Sequence, residues 1–178
     1  MSVFTVGHST RSLDELVALL REHDIRLLAD VRTSPGSRRL PHFSKAALTG
    51  LLQERGVAYA HLPELGGFRR PRPESPNQGW RNLSFRGYAD YMASEPWRAG
   101  LERLLALAAE QNVAAMCAEA VPWRCHRSLI ADGLLVRGVP VLHLLGPGQS
   151  QPHELTPFAR VTGDRIIYPA PDRLPLDG

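Results

Sequence analysis

Apolar residues in this chain fall into two alternating patterns: short continuous runs and longer stretches at helical spacing. Continuous runs suit strands buried on both faces, and the spaced stretches suit helices with one apolar stripe. Ser2–Val6 is the first run, β-branched and aromatic, and it stops at Gly7-His8-Ser9-Thr10. Ser12 and Glu15 then form an S-x-x-E capping box, with Leu13, Leu16, Val17 and Leu20 behind it on one helical stripe. Leu27-Leu28-Ala29 leads a second strand that ends in Asp30-Val31-Arg32. The turn-rich loop Thr33–Pro41 carries Arg38 and Arg39. It leads to a helix capped by Ser44, with Leu48, Leu51 and Leu52 inward and Gly56 as its stop.

Val57–Leu62 is the third strand, followed by one long irregular segment, Pro63–Arg86, crowded with proline, glycine and arginine. Its arginines at 69, 70, 72, 81 and 86, with Phe68, Trp80 and Phe85, suggest a mobile cover over a site, the alternative being a solvated surface excursion. Gly87–Ala93 is expected as a short helix and Trp97–Glu110 as a longer one. Val113–Cys117 is a fourth strand; the chain breaks at Pro122 and restarts near Cys125 as a helix with Leu129, Ile130 and Leu134 on one face. Pro140–Leu145 is the fifth strand. Residues 150–178 are loosely patterned: Ile166-Ile167-Tyr168 is expected to add an edge strand, and the proline-rich tail to be loosely held.

Strands alternating with helices predict a single α/β domain over residues 1–178, a Rossmann-like three-layer fold. Its mostly parallel sheet has about five or six strands, with helices on both faces. In such sheets ligands bind beyond the carboxyl ends of the strands. The runs here end at His8 and Ser9, at Asp30 and Arg32, at His61, at Cys117 and Glu119, and near His143. Five polar or reactive tips are thereby directed at one rim.

The fourth strand and the loop after it concentrate the chemistry. Both cysteines of the protein, Cys117 and Cys125, bracket Glu119 and Arg124, and His126 and Arg127 follow at once. Two cysteines are too few for a disulfide framework and fit catalysis, redox chemistry or metal binding better. A helix start at Cys125-His126 lowers a thiol's pKa and favours an anion, and Arg124 and Arg127 add to that field. Two roles compete there: a reactive thiolate, or an anion cradle in which the cysteine caps the loop. Cys117 is the alternative nucleophile, with Cys125 resolving it. Asp30 and Arg32 alternate on their strand and either satisfy each other or face a ligand.

This stretch, CAEAVPWRCHRSLIADGL, resembles the signature of the domain-of-unknown-function 488 family. TVGHSTRSLDEL, LADVRTSPGSRR and FRGYADYM resemble the family's other blocks in the same order, covering roughly Phe4 to Leu145. The resemblance implies an α/β fold with both cysteines at a common site, brings Arg86 and Tyr88 to the border of that site, and names no reaction.

Other chemistries fit less well. Six residues separate Cys117 from Arg124, one more than the C-x5-R loop of tyrosine phosphatases. A zinc site built from Cys117, Cys125, His126 and His8 or His61 would lack any C-x2-C pair, so no metal is expected. No G-x-G-x-x-G or Walker motif follows a strand, so no cofactor is expected. His153 is expected at the surface.

Composition narrows the partners. The net charge is +3, carried by arginine with Lys45 as the one lysine. Arginine's planar fork suits phosphate. No apolar run approaches the ~20 residues that span a bilayer, and no leader pattern opens the chain, so a cytoplasmic protein without a membrane partner is expected.

The leading reading is a cysteine-dependent enzyme acting on a phosphate-bearing substrate, a small nucleotide or nucleic acid. Cys117, Glu119, Cys125 and His126 would be catalytic. His8, Ser9, Asp30, Arg32, Arg38, Arg86, Tyr88, Arg124 and Arg127 would bind the ligand. The rival readings are a nucleic-acid-binding module with structural cysteines and a thiol–disulfide sensor.

Overall fold

The computed structural model describes residues 1–36 and 38–172. The final residues of the proline-rich tail, 173–178, lie outside the described residues. Five parallel strands stand in the order β3, β2, β4, β1, β5: β1 is Val3–Gly7, β2 Leu27–Asp30, β3 Ala58–His61, β4 Val113–Cys117 and β5 Val141–Gly146. A sixth, antiparallel strand, β6 (Gln149–Pro152), turns back along β5 as a hairpin.

Helices α1 (Leu13–Glu22) and α2 (Lys45–Gln53) cover one face, burying Leu16, Leu20, Leu48 and Leu52 against Val6, Leu28, Ala114, Met116 and Leu144. Helices α3 (Leu83–Tyr91), α4 (Glu95–Glu110) and α5 (Arg127–Val136) are on the other, with Trp97, Leu104, Leu129 and Ile130 on Val3, Ala29, Val113 and Ala115. The expected three-layer α/β fold with a six-stranded, mostly parallel sheet is what forms. Among the described residues no helix is long and apolar enough to cross a membrane.

Strand periodicity decides which face each residue serves. In β4, Ala114 and Met116 face α1 and α2, whereas Val113, Ala115 and Cys117 face α4 and α5. Cys117 therefore points to the layer that carries Cys125. Neighbouring strands β1 and β4 send their following helices to opposite faces, so a crevice opens between their carboxyl ends, where open α/β sheets take ligands.

Several elements depart from the sequence reading. The helix expected at Gly87 starts at Leu83, because the Asn82 side chain accepts from the Ser84 and Phe85 amides and caps it four residues earlier. Gly87 hid that helix, glycine being a poor helix former; a Cβ there would lie 2.1 Å from the Arg69 carbonyl oxygen. Ile166-Ile167-Tyr168 adds no edge strand to the main sheet. Arg160–Thr162 (β7) and Arg165–Ile167 (β8) pair as a separate hairpin across Gly163, whose φ of +63° suits glycine.

The long segment is anchored by hydrogen bonds at residues 72–77. Buried Asp90 accepts from the Arg72 amide, Ser75 Oγ and Asn77 Nδ2, while Asn77 Oδ1 accepts from the Tyr168 amide.

At the rim, Gly7 is required by close approach. The His8 amide donates to the Cys117 carbonyl at 3.0 Å, and the chain after β4 folds so tightly over β1 that a Cβ on Gly7 would sit 1.7 Å from the Glu119 oxygen. Gly7→Ala is predicted to cost more than about 3 kcal/mol in denaturant unfolding, above the range of most point changes, because the added carbon overpacks against backbone. Gly50→Ala, where a Cβ meets nothing within 4 Å inside α2, is predicted to stabilise by about 0.5–1 kcal/mol.

Candidate functional site

Cys117 ends β4, and after a 3-10 turn at Pro122–Arg124 the chain brings Cys125 back beneath it. The two sulfurs lie 2.6 Å apart as free, buried thiols. His126, at the N-cap of α5, places Nδ1 3.4 Å from Cys125 Sγ and donates Nε2–H to the Val31 carbonyl at 2.9 Å. That second bond places a proton on Nε2, so Nδ1 is the nitrogen that exchanges a proton with the Cys125 sulfur, accepting it from the thiol or donating it back to the thiolate.

Below the thiols, Arg127 is wholly buried, with Nη2 on the Glu119 carbonyl at 2.7 Å and Nη1 on Thr5 Oγ1 at 3.2 Å; its Nε has no partner.

These surroundings split the two thiols. Burial pushes Cys125 up, but the proton held by Cys117, the His126 imidazole and the Arg127 guanidinium outweigh it and carry the Cys125 thiol well below the ordinary range. Burial pushes Cys117 up, and the charge on Cys125 pushes it further. Of the two, Cys125 is the more acidic thiol and Cys117 the one that holds its proton more tightly.

Arg127 also begins a buried chain that the sequence reading did not contain. Thr5 Oγ1 meets His143 Nδ1 at 2.6 Å, His143 Nε2 meets His153 Nδ1 at 2.9 Å, and His153 Nε2 meets Asp132 Oδ1 at 2.8 Å. One polarity satisfies every atom: Arg127 donates to Thr5, Thr5 to His143, His143 to His153, and His153 to the Asp132 carboxylate. Asp132, wholly buried, also accepts from Thr156 and from the Tyr168 hydroxyl. His153 is thus a network residue whose side chain is 9% exposed, which corrects its expected surface position. Single histidines in a strand and in a polar tail carried no spacing signal that could have found this chain.

A cavity of about 830 Å³ opens over the sulfurs. His8, Arg32, Arg38, Tyr88, Cys117, Glu119, Arg124, Cys125 and His126 all border it. Four further candidates do not. Ser9, at φ +46°, serves the backbone: its amide donates to Ala118 O and its carbonyl accepts from His8 Nδ1. Asp30 is buried and occupied by the Arg32 guanidinium and the Tyr59 hydroxyl, so the pair satisfies itself. Arg86 donates to the Trp80 carbonyl, and Arg127 lies beneath the floor.

Glu119 contributes its carbonyl to Arg127, while its carboxylate side is exposed at the rim. His8 stacks on Phe43 at 4.4 Å, and its pKa is lowered by burial and by the Arg32 guanidinium, Nη1 of which faces its free Nε2 at 3.4 Å. Arg39, Thr33, Ser34, Asn82, Ser84, Phe85 and the Gly67-Phe68 pair also line the cavity. Gly67 sits there because a Cβ would press on His126 Nδ1 at 3.0 Å.

Fold and rim together define a three-layer α/β protein with a paired-thiol crevice at the switch between β1 and β4. The chain belongs to the family described as domain of unknown function DUF488, whose model matches residues 12–134, well over half its length. No curated protein and no solved structure matches it.

Burial, with His153 and Arg127 adding, holds His143 down to about 3 from its ordinary 6.5. Between those values the unfolded chain binds a proton that the folded chain refuses, so stability is lost as pH falls through that window. His143→Gln is predicted to flatten the decline of the urea midpoint between pH 6.5 and 4 relative to the unaltered protein. An unchanged slope would remove His143 as its source.

Proposed function

We propose that this chain is a cysteine-dependent enzyme in which the Cys125 thiolate acts on a phosphate-bearing substrate held in the arginine-lined cavity. The observation that carries the reading is the position of Cys125: its sulfur is 3.4 Å from an imidazole nitrogen whose partner nitrogen is pinned, above a buried guanidinium, at the floor of an open cavity. Structural cysteines gain nothing from such surroundings, whereas nucleophilic ones need a partner base and a positive field.

In this reading Cys125 Sγ forms a bond to an electrophilic centre of the substrate as that centre's bond to its leaving group breaks, and water later cleaves the covalent intermediate to free the thiolate. His126 Nδ1, having taken the thiol proton, returns it to the leaving group. Cys117 keeps its proton and steadies the thiolate, and Arg127 acts through the charge it holds beneath the sulfurs. Exposed Arg38, Arg39 and Arg124 supply the anion clamp at the rim. Arg32 is largely committed to Asp30 and contributes through Nη1 beside His8.

The closeness of the sulfurs supports a second reading, thiol–disulfide exchange. Cys125 thiolate attacks one sulfur of an oxidised partner, and Cys117 then displaces that mixed disulfide. Cys117 and Cys125 end as the disulfide, and the partner leaves as a dithiol.

One measurement separates these readings from packing. Alkylation followed against pH by mass spectrometry is expected to label Cys125 with an apparent pKa well below the ordinary ~8.5, with Cys117 lagging. His126→Asn is expected to raise it, and pyrophosphate to slow labelling in the unaltered protein but less so in Arg124→Gln. Ordinary or raised values for both thiols would sink the nucleophile. Mild oxidant that joins the two cysteines without affecting ligand protection would favour the exchange reading.

A further inference from the structure

We propose that Phe68 is a stacking platform and that the cavity takes a planar aromatic base linked to its phosphate, a single nucleotide unit. This rests on the anion clamp of the cysteine-enzyme reading and deepens it.

Phe68 is 94% exposed, the most exposed large apolar side chain among the described residues, and it borders the cavity over Cys125. Its backbone is in the left-handed region at φ +60°, a conformation that aromatic residues rarely adopt and that glycine or asparagine would take more cheaply.

Clamps on both sides impose that conformation. On one side the Gly67 carbonyl accepts from Thr33 Oγ1 at 3.0 Å, Gly66 is pressed so closely on Thr33 that it has no room for a Cβ, and a Cβ on Gly67 would be tight against His126. On the other, the Arg69 guanidinium lies 3.7 Å over the Tyr91 ring, and its Nε donates to the Gly66 carbonyl. Between these fixed points Phe68 is turned outward.

Two unfavourable features thus coincide at one residue, strained backbone and a fully hydrated ring, and neither contributes to packing. Residues held this way by their surroundings cluster at ligand clamps. An exposed ring beside arginines fits one ligand chemistry well: a base stacks on the ring while the arginines take the phosphate. Asn82 and Ser84, exposed on the same wall, offer donors and acceptors to the base edge.

Calorimetric titration of the whole chain with adenosine, guanosine, cytidine and uridine monophosphates, ribose 5-phosphate and inorganic phosphate tests this. At least one nucleotide is expected to bind about tenfold or more tightly than ribose 5-phosphate. Phe68→Ala is expected to erase that difference, and Phe68→Trp to restore it. Phe68→Gly is expected to erase it while leaving the Tm unchanged or higher, since glycine relieves the positive φ; a packing role would lower the Tm instead. Arg124→Gln is expected to weaken every phosphate compound alike. Equal affinity for ribose 5-phosphate and all four nucleotides, or a base preference that survives Phe68→Ala, overturns the platform while the anion clamp stands. Absence of binding by any phosphate compound overturns both.

Discussion

A buried positive charge organises this molecule. Arg127 opens α5 beneath the thiols, and its guanidinium is held by the Thr5 hydroxyl and the Glu119 carbonyl, with its Nε unpartnered and no carboxylate against it among the described residues. Removing an ion from water costs several kcal/mol unless hydrogen bonds and an opposite charge offset it. The charge within reach is the one Cys125 gains on losing its proton. Thiol acidity and the burial of Arg127 are therefore reciprocal: each lowers the cost of the other. The same guanidinium ties β1, the loop after β4 and α5 together, so the fold at the rim and the electrostatics of the site share one residue.

That arrangement needs the backbone to come close. Glu119 can offer its carbonyl to Arg127 only because Gly7 has no side chain in its path. Gly67 likewise lets the long segment close on His126 from above. Small residues thus bring three separate stretches to one crevice, and packing density leaves no slack to substitute for them.

The hydrogen-bonded chain from Arg127 to Asp132 carries this organisation to the middle of α5. Asp132 gathers His153, Thr156 and Tyr168 from the segment that follows β5. The family match ends at residue 134, yet the later residues complete the same core: Tyr168 is fully buried and packs with Trp80 and Phe158. In a low-dielectric interior a half-satisfied network would be worse than none, so the first half of α5 and the segment after β5 are tied together through Asp132.

Periodicity and capping sufficed to determine the layers. The continuous runs at Val3–Val6, Leu27–Ala29 and Val113–Cys117 and the Ser12 and Ser44 caps are local signals, because strand and helix formation depend on neighbours a few residues away. The sequence likewise determined that polar tips cluster at the carboxyl ends of strands, and so where a site would open. Tertiary structure alone decided which tips meet the cavity. Asp30 turns inward to its hydrogen-bond partners, Ser9 serves through its backbone, Arg127 goes under the floor, and Phe68, one aromatic among several in its loop, stands at the mouth. It also decided that Thr5, His143, His153 and Asp132 form a line, since residues up to 138 positions apart share no local pattern. Contacts across a sheet are set by register and close approach, and neither is written in the spacing of any single stretch.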